Sequence, residues 1–221
     1  MIAKWAQTID GRIATRSGQS QWISGPRCRA RVHRLRAKVD AVLIGVGTAL
    51  ADDPMLTPRD CRYLRRMPKR VVLDTHARLP LDSKLVQSAG EVPTIVYTQV
   101  PDRFQRTAVI AEKCPIRGGR TDLLWVLEHL LNQHRVTTLL SESGPTLLGT
   151  LLEEDLINEA VVHLAPAVMG DGLAKPAATG RDVPRLDQMR RFTLMRAKPV
   201  GEDLELHYRS IPARDQKTSP S

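Results

Sequence analysis

The stretch Ala41-Val42-Leu43-Ile44-Gly45-Val46-Gly47 decides the fold. Its first five residues form a short continuous apolar run, as expected for a parallel strand that is buried on both faces. The Gly-x-Gly turn that follows the strand exposes backbone N–H groups, which can receive a phosphate. The third glycine of a dinucleotide-binding fingerprint would fall at position 50, which is Leu, so the sequence does not carry a Rossmann fingerprint.

Similar apolar runs lie on both sides of this stretch. They predict strands at residues 2–8, 70–73, 94–97, 137–140, 159–164, 192–197 and 204–208. Apolar residues at helical spacing predict helices at about residues 26–38 and 122–134, and a third after Pro145. The last two strands flank a turn at residues 199–203 and predict an antiparallel hairpin. We therefore expect an α/β fold with a mixed, mostly parallel sheet, helices on both faces and a C-terminal antiparallel hairpin.

The composition is that of an ordinary soluble globular protein. Of 221 residues, 42% are hydrophobic and 26% are charged. We expect one domain over residues 1–211 and a disordered polar tail at residues 212–221. No apolar run approaches the roughly 20 residues that span a bilayer, and the N-terminus lacks a signal-peptide pattern. The three separated cysteines, Cys28, Cys61 and Cys114, fit neither a disulfide framework nor a zinc site. We therefore expect a cytoplasmic chain that binds no metal and no membrane.

The net charge of +9 sits mainly in two short segments. Residues 25–38 contain six basic residues and no acid, and residues 59–70 contain six basic residues and Asp60. Two local patches suit a phosphorylated small ligand as well as a polynucleotide. Aromatic residues make up only 4% of the chain, which leaves few rings for base stacking. We therefore expect a small phosphorylated partner and no nucleic acid.

The first predicted helix carries basic residues on different faces. The residues opposite its apolar stripe are expected to face solvent: Arg27, Arg31, Arg34 and Lys38. Arg29 and Arg36 flank the stripe and point inward, where a guanidinium needs a partner. A ligand phosphate and an internal carboxylate, Asp40 or Asp52, are equally good candidates. Ser24 is placed to cap this helix.

Two further positions could carry chemistry. Residues 142–147 (Glu-Ser-Gly-Pro-Thr-Leu) place an acid at a strand end, followed by a glycine turn and a helix start, whose free N–H groups attract anions. The alternative is an ordinary helix start capped by Ser143. Lys4 lies within an apolar strand and either points outward at a sheet edge or contacts substrate hydroxyls and assists proton transfer. The histidines show no ligand spacing, and we interpret them as surface or packing residues.

Several motifs, taken together and in order, resemble one family. They are residues 4–14 (Lys-Trp-Ala-Gln-Thr-Ile-Asp-Gly-Arg-Ile-Ala), 18–23 (Gly-Gln-Ser-Gln-Trp-Ile), 33–37 (His-Arg-Leu-Arg-Ala), 47–59 (Gly-Thr-Ala-Leu-Ala-Asp-Asp-Pro-Met-Leu-Thr-Pro-Arg), 71–74 (Val-Val-Leu-Asp) and 142–147. They resemble the reductase domain of the bacterial riboflavin deaminase–reductases over residues 3–209. Linked motifs in one order are far more specific than any of them alone.

The resemblance implies a dihydrofolate-reductase-like fold, NADPH as the cofactor and a homodimer. It also implies reduction of the ribosyl group of 5-amino-6-(5-phosphoribosylamino)uracil to a ribityl chain. By matching motifs, the substrate would contact Ser20, Arg36, Leu56, Arg59 and Glu142. NADPH would contact Ala6, Trp22, Thr48, Asp52, Thr75, Gly144, Pro145, Thr146, Leu147, Leu148, Gly149 and Thr150.

The same resemblance gives roles to four charged residues. Arg36 and Arg59 would reach into a cleft at the strand ends and hold the substrate phosphate. Lys4 and Glu142 would be the catalytic residues, positioning ribose hydroxyls, with Lys4 as a candidate proton source. Arg78 is a candidate partner for the 2′-phosphate that distinguishes NADPH from NADH.

The sequence lacks the zinc motif of the family's deaminase domain, His-x-Glu…Pro-Cys-x-x-Cys, so we expect no deaminase activity. Three alternatives stay open. One is the sister reduction of the 2,5-diamino pyrimidinone before deamination. Another is a dihydrofolate or other pteridine reductase of the same fold. The third is a nucleic-acid-binding protein that uses the basic helix.

Overall fold

The computed structural model describes residues 1–64 and 66–211. Its helices in this range are Pro26–Arg36 (α1), Val46–Asp52 (α2), Lys84–Gln87 (α3), Leu123–Asn132 (α4) and Pro145–Glu153 (α5). Its strands in the same range are Ile2–Gln7 (β1), Arg12–Ala14 (β2), Ala41–Gly45 (β3), Lys69–Leu73 (β4), Thr94–Thr98 (β5), Ile110–Lys113 (β6), Ile116–Arg117 (β7), Arg120–Thr121 (β8), Leu139–Ser141 (β9), Glu159–Leu164 (β10), Lys175–Pro176 (β11), Phe192–Val200 (β12) and Asp203–Ser210 (β13). The tail predicted at residues 212–221 lies outside the described residues.

The chain divides into two compact units. The first contains Met1–Arg31 and the described part of Glu142–Ser221, and the second contains Val32–Ser141. In the first unit the main strands lie in the order β12-β13-β10-β1, with β1 and β10 parallel and β13 antiparallel to both of its neighbours. In the second unit the order is β9-β3-β4-β5-β6, and each neighbouring pair is parallel. The predicted mixed, mostly parallel arrangement and the C-terminal hairpin are confirmed.

The central strands of the second unit are buried, as their apolar runs predict. Val42, Ile44, Val72 and Val96 are fully buried, because parallel strands covered on both faces need apolar side chains on both. In the first unit, β12 is exposed along most of its length. Among residues 1–64 and 66–211, each helix is too short or too polar to cross a bilayer.

The start of α1 differs from the predicted cap. The first hydrogen bond of the helix runs from Arg29 N to Gly25 O, so Gly25 rather than Ser24 holds the cap position. The Asp203 carboxylate accepts the Gly25 N–H at 2.7 Å. A carboxylate from another strand therefore does what the serine hydroxyl is expected to do, and a negative charge there also suits the positive end of the helix.

The start of α5 also differs from prediction. Gly144 is the N-cap and Pro145 occupies the first turn, so the Ser143 cap is wrong. The N-cap residue is a glycine, so it has no side chain that could cap the helix. By contrast, α4 begins after Asp122, whose carboxylate accepts the Trp125 N–H at 3.2 Å. The start of α5 therefore keeps backbone N–H groups available to an anion.

Some arginines of the two basic segments bind partners inside the protein, so these segments do not serve only as patches for a phosphorylated ligand. Arg31, expected on the solvated face of α1, instead donates two hydrogen bonds to the Glu205 carboxylate, at 2.5 and 2.6 Å. Arg70 is fully buried and donates to the carbonyl oxygens of Leu85 and Val92 at 3.1 and 2.8 Å. Burial lowers the pKa of Arg70 to about 10. The net charge therefore overstates the positive charge that is presented to a ligand.

Candidate active site

Lys4 and Ala6 lie two residues apart on β1, and so on the same face of the strand. Ala6 is opposite His163 of β10, which is fully buried. Burial and the nearby charge of Lys4 lower the pKa of His163 to about 4, so its imidazole is neutral at pH 7. Lys4 is half-buried. It therefore faces a packed, polar layer, and the alternative of an outward-pointing lysine is wrong.

Glu205 of β13 anchors that polar layer. It accepts both hydrogen bonds from Arg31 and lies 3.2 Å from His163 Nε2 and 2.9 Å from His207 Nε2. Burial alone would raise the pKa of Glu205, but the hydrogen bonds from Arg31 and His207 outweigh it and lower that pKa to about 2. A fixed, ionised carboxylate thus lies on the side of the sheet to which Lys4 points. Sequence reasoning missed this network, because Glu205 lies 174 residues from Arg31.

The segment after β1 is fixed by Asp10. Its carboxylate accepts hydrogen bonds from Thr8 Oγ1 at 2.6 Å, from Gly170 N at 3.0 Å and from Met169 N at 3.1 Å. The Thr8 and Gly170 hydrogen bonds lower the pKa of Asp10 to about 2. The turn 8–11 and the loop around residue 169 are therefore held together within the first unit. The turn belongs to the motif at residues 4–14 that carries the family resemblance, and the loop around residue 169 lies outside the motifs.

Trp22 stands out because it is a large ring left in solvent. It is 68% exposed, and the Arg29 guanidinium carbon lies 4.4 Å from the ring centroid. Arg29 also donates to the Ser24 carbonyl at 2.7 Å, which fixes the cation against the ring. Arg29 therefore has a local partner, whereas the sequence left open a phosphate or a carboxylate. Ser20, two residues before Trp22, is half-buried.

The predicted cofactor segment 144–150 forms the first two turns of α5. Thr146 is exposed, and Leu147 and Thr150 are partly exposed. Leu148 and Gly149 instead face the packed side of the helix. A Cβ added at Gly149 would lie 1.8 Å from the Thr179 carbonyl oxygen, so glycine is required for this close approach.

The residues next to the first turn of α5 also belong to the first unit. Glu142, which directly precedes this turn, is half-buried. The Thr179 N–H donates to the Pro145 carbonyl at 3.0 Å, which ties the segment around residue 179 to the first turn of the helix. The hydrogen bond from Thr179 therefore holds the backbone at the helix start in place.

In the second unit, Thr48 and Asp52 lie on α2, which follows β3 directly. Both are half-buried. Gly47 is exposed, and a Cβ added there would meet no atom within 4 Å, so the approach to this turn is open. Leu56, four residues after Asp52, is 3% exposed and has a left-handed backbone conformation with φ of 54°. Strained non-glycine residues of this kind cluster at functional loops.

The two candidate phosphate-binding arginines differ in exposure. Arg36 is half-buried and donates to the Thr57 carbonyl at 3.2 Å, and His33 Nδ1 lies 3.1 Å from the same oxygen. Arg59, two residues further along this loop, is exposed. The expectation that both guanidinium groups reach inward is therefore wrong for Arg59. Its exposure leaves the guanidinium available to a ligand from solvent.

Asp40, one of the two carboxylates considered as a partner for Arg36, has other partners. Its carboxylate accepts hydrogen bonds from Thr137 N and Oγ1, at 2.8 and 2.6 Å, and from Thr138 N at 3.0 Å. Arg66 completes the set with an ion pair. Burial alone would raise the pKa of Asp40, but the hydrogen bonds from Thr137 and Arg66 hold it well below its usual range.

Thr75 follows the carboxyl end of β4. Its hydroxyl lies 3.0 Å from Thr121 Oγ1, and its carbonyl accepts the Gln99 N–H at 3.0 Å. The preceding Asp74 is fully buried, and its Oδ2 accepts the Leu79 N–H at 2.7 Å. These bonds shape the turn that presents the half-buried Thr75. Arg78, the candidate 2′-phosphate partner, is exposed.

The site residues of the second unit thus gather where the sequence predicts, after the carboxyl ends of β3 and β4 and in the loop that follows α2. Those of the first unit gather on β1, on the loop around Trp22 and at the start of α5. Such an arrangement can offer an anion-binding helix start, an exposed ring for stacking and a lysine beside a fixed carboxylate.

Comparison with known proteins identifies the family. The RibD C-terminal domain matches residues 1–206. The riboflavin biosynthesis protein RibD of Actinobacillus pleuropneumoniae is 36% identical over 213 residues, which cover 94% of this chain and 56% of that protein. A 2,5-diamino-6-ribosylamino-4(3H)-pyrimidinone 5′-phosphate reductase of Methanothermobacter thermautotrophicus is 34% identical over 218 residues, which cover 94% of this chain and 96% of that protein.

Solved structures agree. The RibD structure of Acinetobacter baumannii superposes with a TM-score of 0.85 at 30% identity, over 95% of this chain and 57% of that one. The expected dihydrofolate-reductase-like class, a mixed, mostly parallel sheet with a C-terminal hairpin, is thereby confirmed. The chain spans about half the length of the RibD proteins that it matches. With residues 1–206 matched and more than a third of positions shared with a RibD relative, the chain belongs to the RibD C-terminal domain family.

Proposed function

We propose that this chain uses NADPH to reduce the ribosyl group of a phosphorylated ribosylamino-pyrimidine to its ribityl form, as a step of riboflavin biosynthesis. The substrate that we favour is 5-amino-6-(5-phosphoribosylamino)uracil. One observation carries the proposal. The match to a relative named as a reductase of a ribosylamino-pyrimidinone 5′-phosphate extends over nearly the whole of both chains.

Several features of the residues fit a nicotinamide dinucleotide. In the first unit, the start of α5 has a glycine at its N-cap and presents the positive end of a helix, which suits a pyrophosphate, and the exposed Trp22 ring suits stacking. In the second unit, the open space at Gly47 admits a close backbone approach beside Thr48. When bound, NADPH would supply a hydride to the open-chain carbon of the ribosyl group.

The chain's own residues would hold the substrate and move a proton. Arg36 and Arg59 would bind the phosphate, one from a half-buried and one from an exposed position. Glu142 would accept hydrogen bonds from ribose hydroxyls. Lys4 Nζ would donate to the substrate and supply the proton that balances the hydride.

The direct test is the loss of NADPH absorbance when purified protein meets the enzymatically prepared, deaminated substrate. We expect oxidation of NADPH and a product two hydrogens heavier by mass spectrometry. As a matched pair, Lys4→Met should reduce kcat strongly, whereas Arg16→Met should not, because Arg16 is an exposed arginine of the same unit paired with Asp171. If neither pyrimidine supports NADPH oxidation, the proposal fails.

A second substrate is favoured by a specific observation. The relative that matches along nearly its full length is named for the 2,5-diamino pyrimidinone, which has not been deaminated. Side-by-side values of kcat/KM for the two pyrimidines decide between them. Dihydrofolate belongs in the same experiment, because its turnover would favour a pteridine reductase. Binding of duplex DNA that weakens steeply with salt would favour a nucleic-acid-binding protein instead.

We further propose that the chain forms a homodimer through β12. This strand is antiparallel to β13 and exposes Leu194 and Met195, at 52% and 53%. Exposed apolar edge strands pair readily with another copy. Analytical ultracentrifugation of the protein and of a Leu194→Lys variant tests this. A dimer that the variant weakens supports the interface, and a monomeric protein contradicts it.

Two further proposals concern the cellular location of the chain and the absence of deaminase activity. Free cysteines, two of them buried, suit a reducing compartment, and we propose a cytoplasmic location. The family match covers the reductase domain, and these 221 residues contain no deaminase zinc motif, so we propose that they have no deaminase activity.

A further inference from the structure

Three potential metal ligands meet near one edge of the second unit. Glu112 lies on β6, His129 lies near the end of α4, and His134 follows that helix. One ligand atom from each lies within 4.8 Å of the others. Glu112 Oε1 is 3.4 Å from His134 Nε2, and Glu112 Oε2 is 4.0 Å from His129 Nε2. Ligands at zinc bond lengths of about 2.0–2.1 Å stand roughly 3.3 Å apart in a tetrahedral site, so only small side-chain shifts are needed.

The His129 ring is already oriented for this purpose. It stacks on Trp125, one helical turn earlier, with centroids 4.7 Å apart and planes inclined by 19°. Its Nδ1 lies 3.0 Å from the hydroxyl of the fully buried Tyr97, while Nε2 faces Glu112. Metal-bound histidines commonly engage their other ring nitrogen in such a hydrogen bond, which fixes the tautomer and the ring plane.

His134 carries the second independent observation. Its Nε2 is buried and makes no hydrogen bond within the part of the chain that the structure describes, although Glu112 lies beside it. A buried ring nitrogen that faces a carboxylate without a well-aligned hydrogen bond is rare, and a shared metal ion would satisfy both groups. The His134 backbone is fixed, because its carbonyl accepts from Lys69 Nζ at 2.8 Å.

We propose that Glu112, His129 and His134 bind one divalent transition-metal ion, with zinc as the best match. Two imidazoles and a carboxylate suit zinc better than calcium or magnesium, and water would take the fourth position. The nearby Lys69 charge opposes a cation, but its ammonium is engaged by the His134 carbonyl. The ion would tie the end of α4 to strand β6.

This site is separate from the candidate reductase residues and does not rest on the proposed function. Lys69, which contacts His134, is the first residue of β4, whereas Thr75 follows the opposite end of that strand. The sequence predicts no metal site, because the ligands come from two elements and the His-x4-His spacing of His129 and His134 indicates zinc only beside a Cys-x-x-Cys pair, which the sequence lacks.

The test uses the tag-free full-length protein, stripped with a chelator and titrated with Zn²⁺ against a competing chromogenic chelator. We expect one ion per chain. Glu112→Gln and His134→Gln should each weaken binding by about tenfold or more, and Tyr97→Phe by about 10- to 100-fold, through loss of the bond that orients His129. His76→Gln is the matched control, because it removes an exposed histidine of the same unit and should leave affinity unchanged.

Two further readouts keep the result clear if a variant folds poorly. Co²⁺ should give the intense visible absorption of a four-coordinate site in the unaltered protein, and Zn²⁺ should raise its melting temperature but not that of Glu112→Gln. Binding that stays far from one ion per chain, or equal affinity in His134→Gln and His76→Gln, overturns the proposal. Reductase activity plays no part in either result.

Discussion

Replacing Gly149 with alanine probes the close approach that fixes the start of α5. An ideal Cβ at this position would lie 1.8 Å from the Thr179 oxygen and 2.9 Å from its carbonyl carbon. Both obstructing atoms are backbone, and Thr179 is also held to Pro145 at 3.0 Å. The segment around residue 179 must therefore move. Overpacking of this kind costs typically about 1–3 kcal/mol.

In a chain of this length, about 1 kcal/mol corresponds to roughly 2–4 °C, so Gly149→Ala should melt about 2–12 °C below the unaltered protein. Gly47→Ala is the matched control, because its Cβ would meet no atom within 4 Å and alanine favours a helix by roughly 0.5–1 kcal/mol. Circular dichroism during heating measures both.

The KM for NADPH tests whether the same close contact also matters for cofactor binding. Because Thr179 holds Pro145 in the first turn of α5, Gly149→Ala should also raise KM for NADPH. If Gly149→Ala melts as high as Gly47→Ala and keeps its KM, the close contact at Thr179 is not what shapes this helix start.

The strand pattern could be predicted because burial on both faces leaves little choice of residue. The run at 41–45 can be buried on two faces only if it is apolar throughout, and β3 has the predicted bounds. Helix ends were harder. The first helix stops at Arg36 rather than at residue 38, because Lys38 N bonds to Leu35 O and the last turn tightens.

The face of α1 was misassigned for a specific reason. The predicted stripe consists of Cys28, Val32, Leu35 and Val39, and in the structure Cys28 is fully buried whereas Leu35 is only partly buried. Arg31 stands three residues after Cys28 and four before Leu35, so it shares their face of the helix. Its partner, Glu205, comes from a distant strand, and sequence spacing could not reveal it.

The candidate site was predictable where it depends on topology. The sequence predicts site residues after the carboxyl ends of β3 and β4, because the loops that follow parallel strands lie at the same edge of the sheet. Exposure was not predictable. Arg59 and Arg70 belong to one basic segment, yet Arg59 is exposed and Arg70 is fully buried, because the carbonyls that accept from Arg70 come from α3 and from the segment that follows it.

Three further variants separate binding, cofactor choice and stability. Arg59→Ala should raise KM for the phosphorylated substrate at constant kcat, since an exposed guanidinium binds ground and transition states alike; an unchanged KM would remove it from the phosphate site. Arg78→Ala should reduce the ratio of kcat/KM for NADPH to that for NADH, and an equal loss with both cofactors would contradict its contact with the 2′-phosphate. Glu205→Gln leaves the half-buried Arg31 without its anion, which costs at most about 3–5 kcal/mol in urea unfolding at pH 7. The folded protein lowers the pKa of Glu205 from 4.5 to about 2, so this carboxylate stabilises the fold above pH 4.5 and loses that effect as the pH falls toward 2. The free energy of unfolding of Glu205→Gln should therefore change less across this window than that of the unaltered protein. Equal slopes would show that the ionised Glu205 does not hold Arg31, His163 and His207 together.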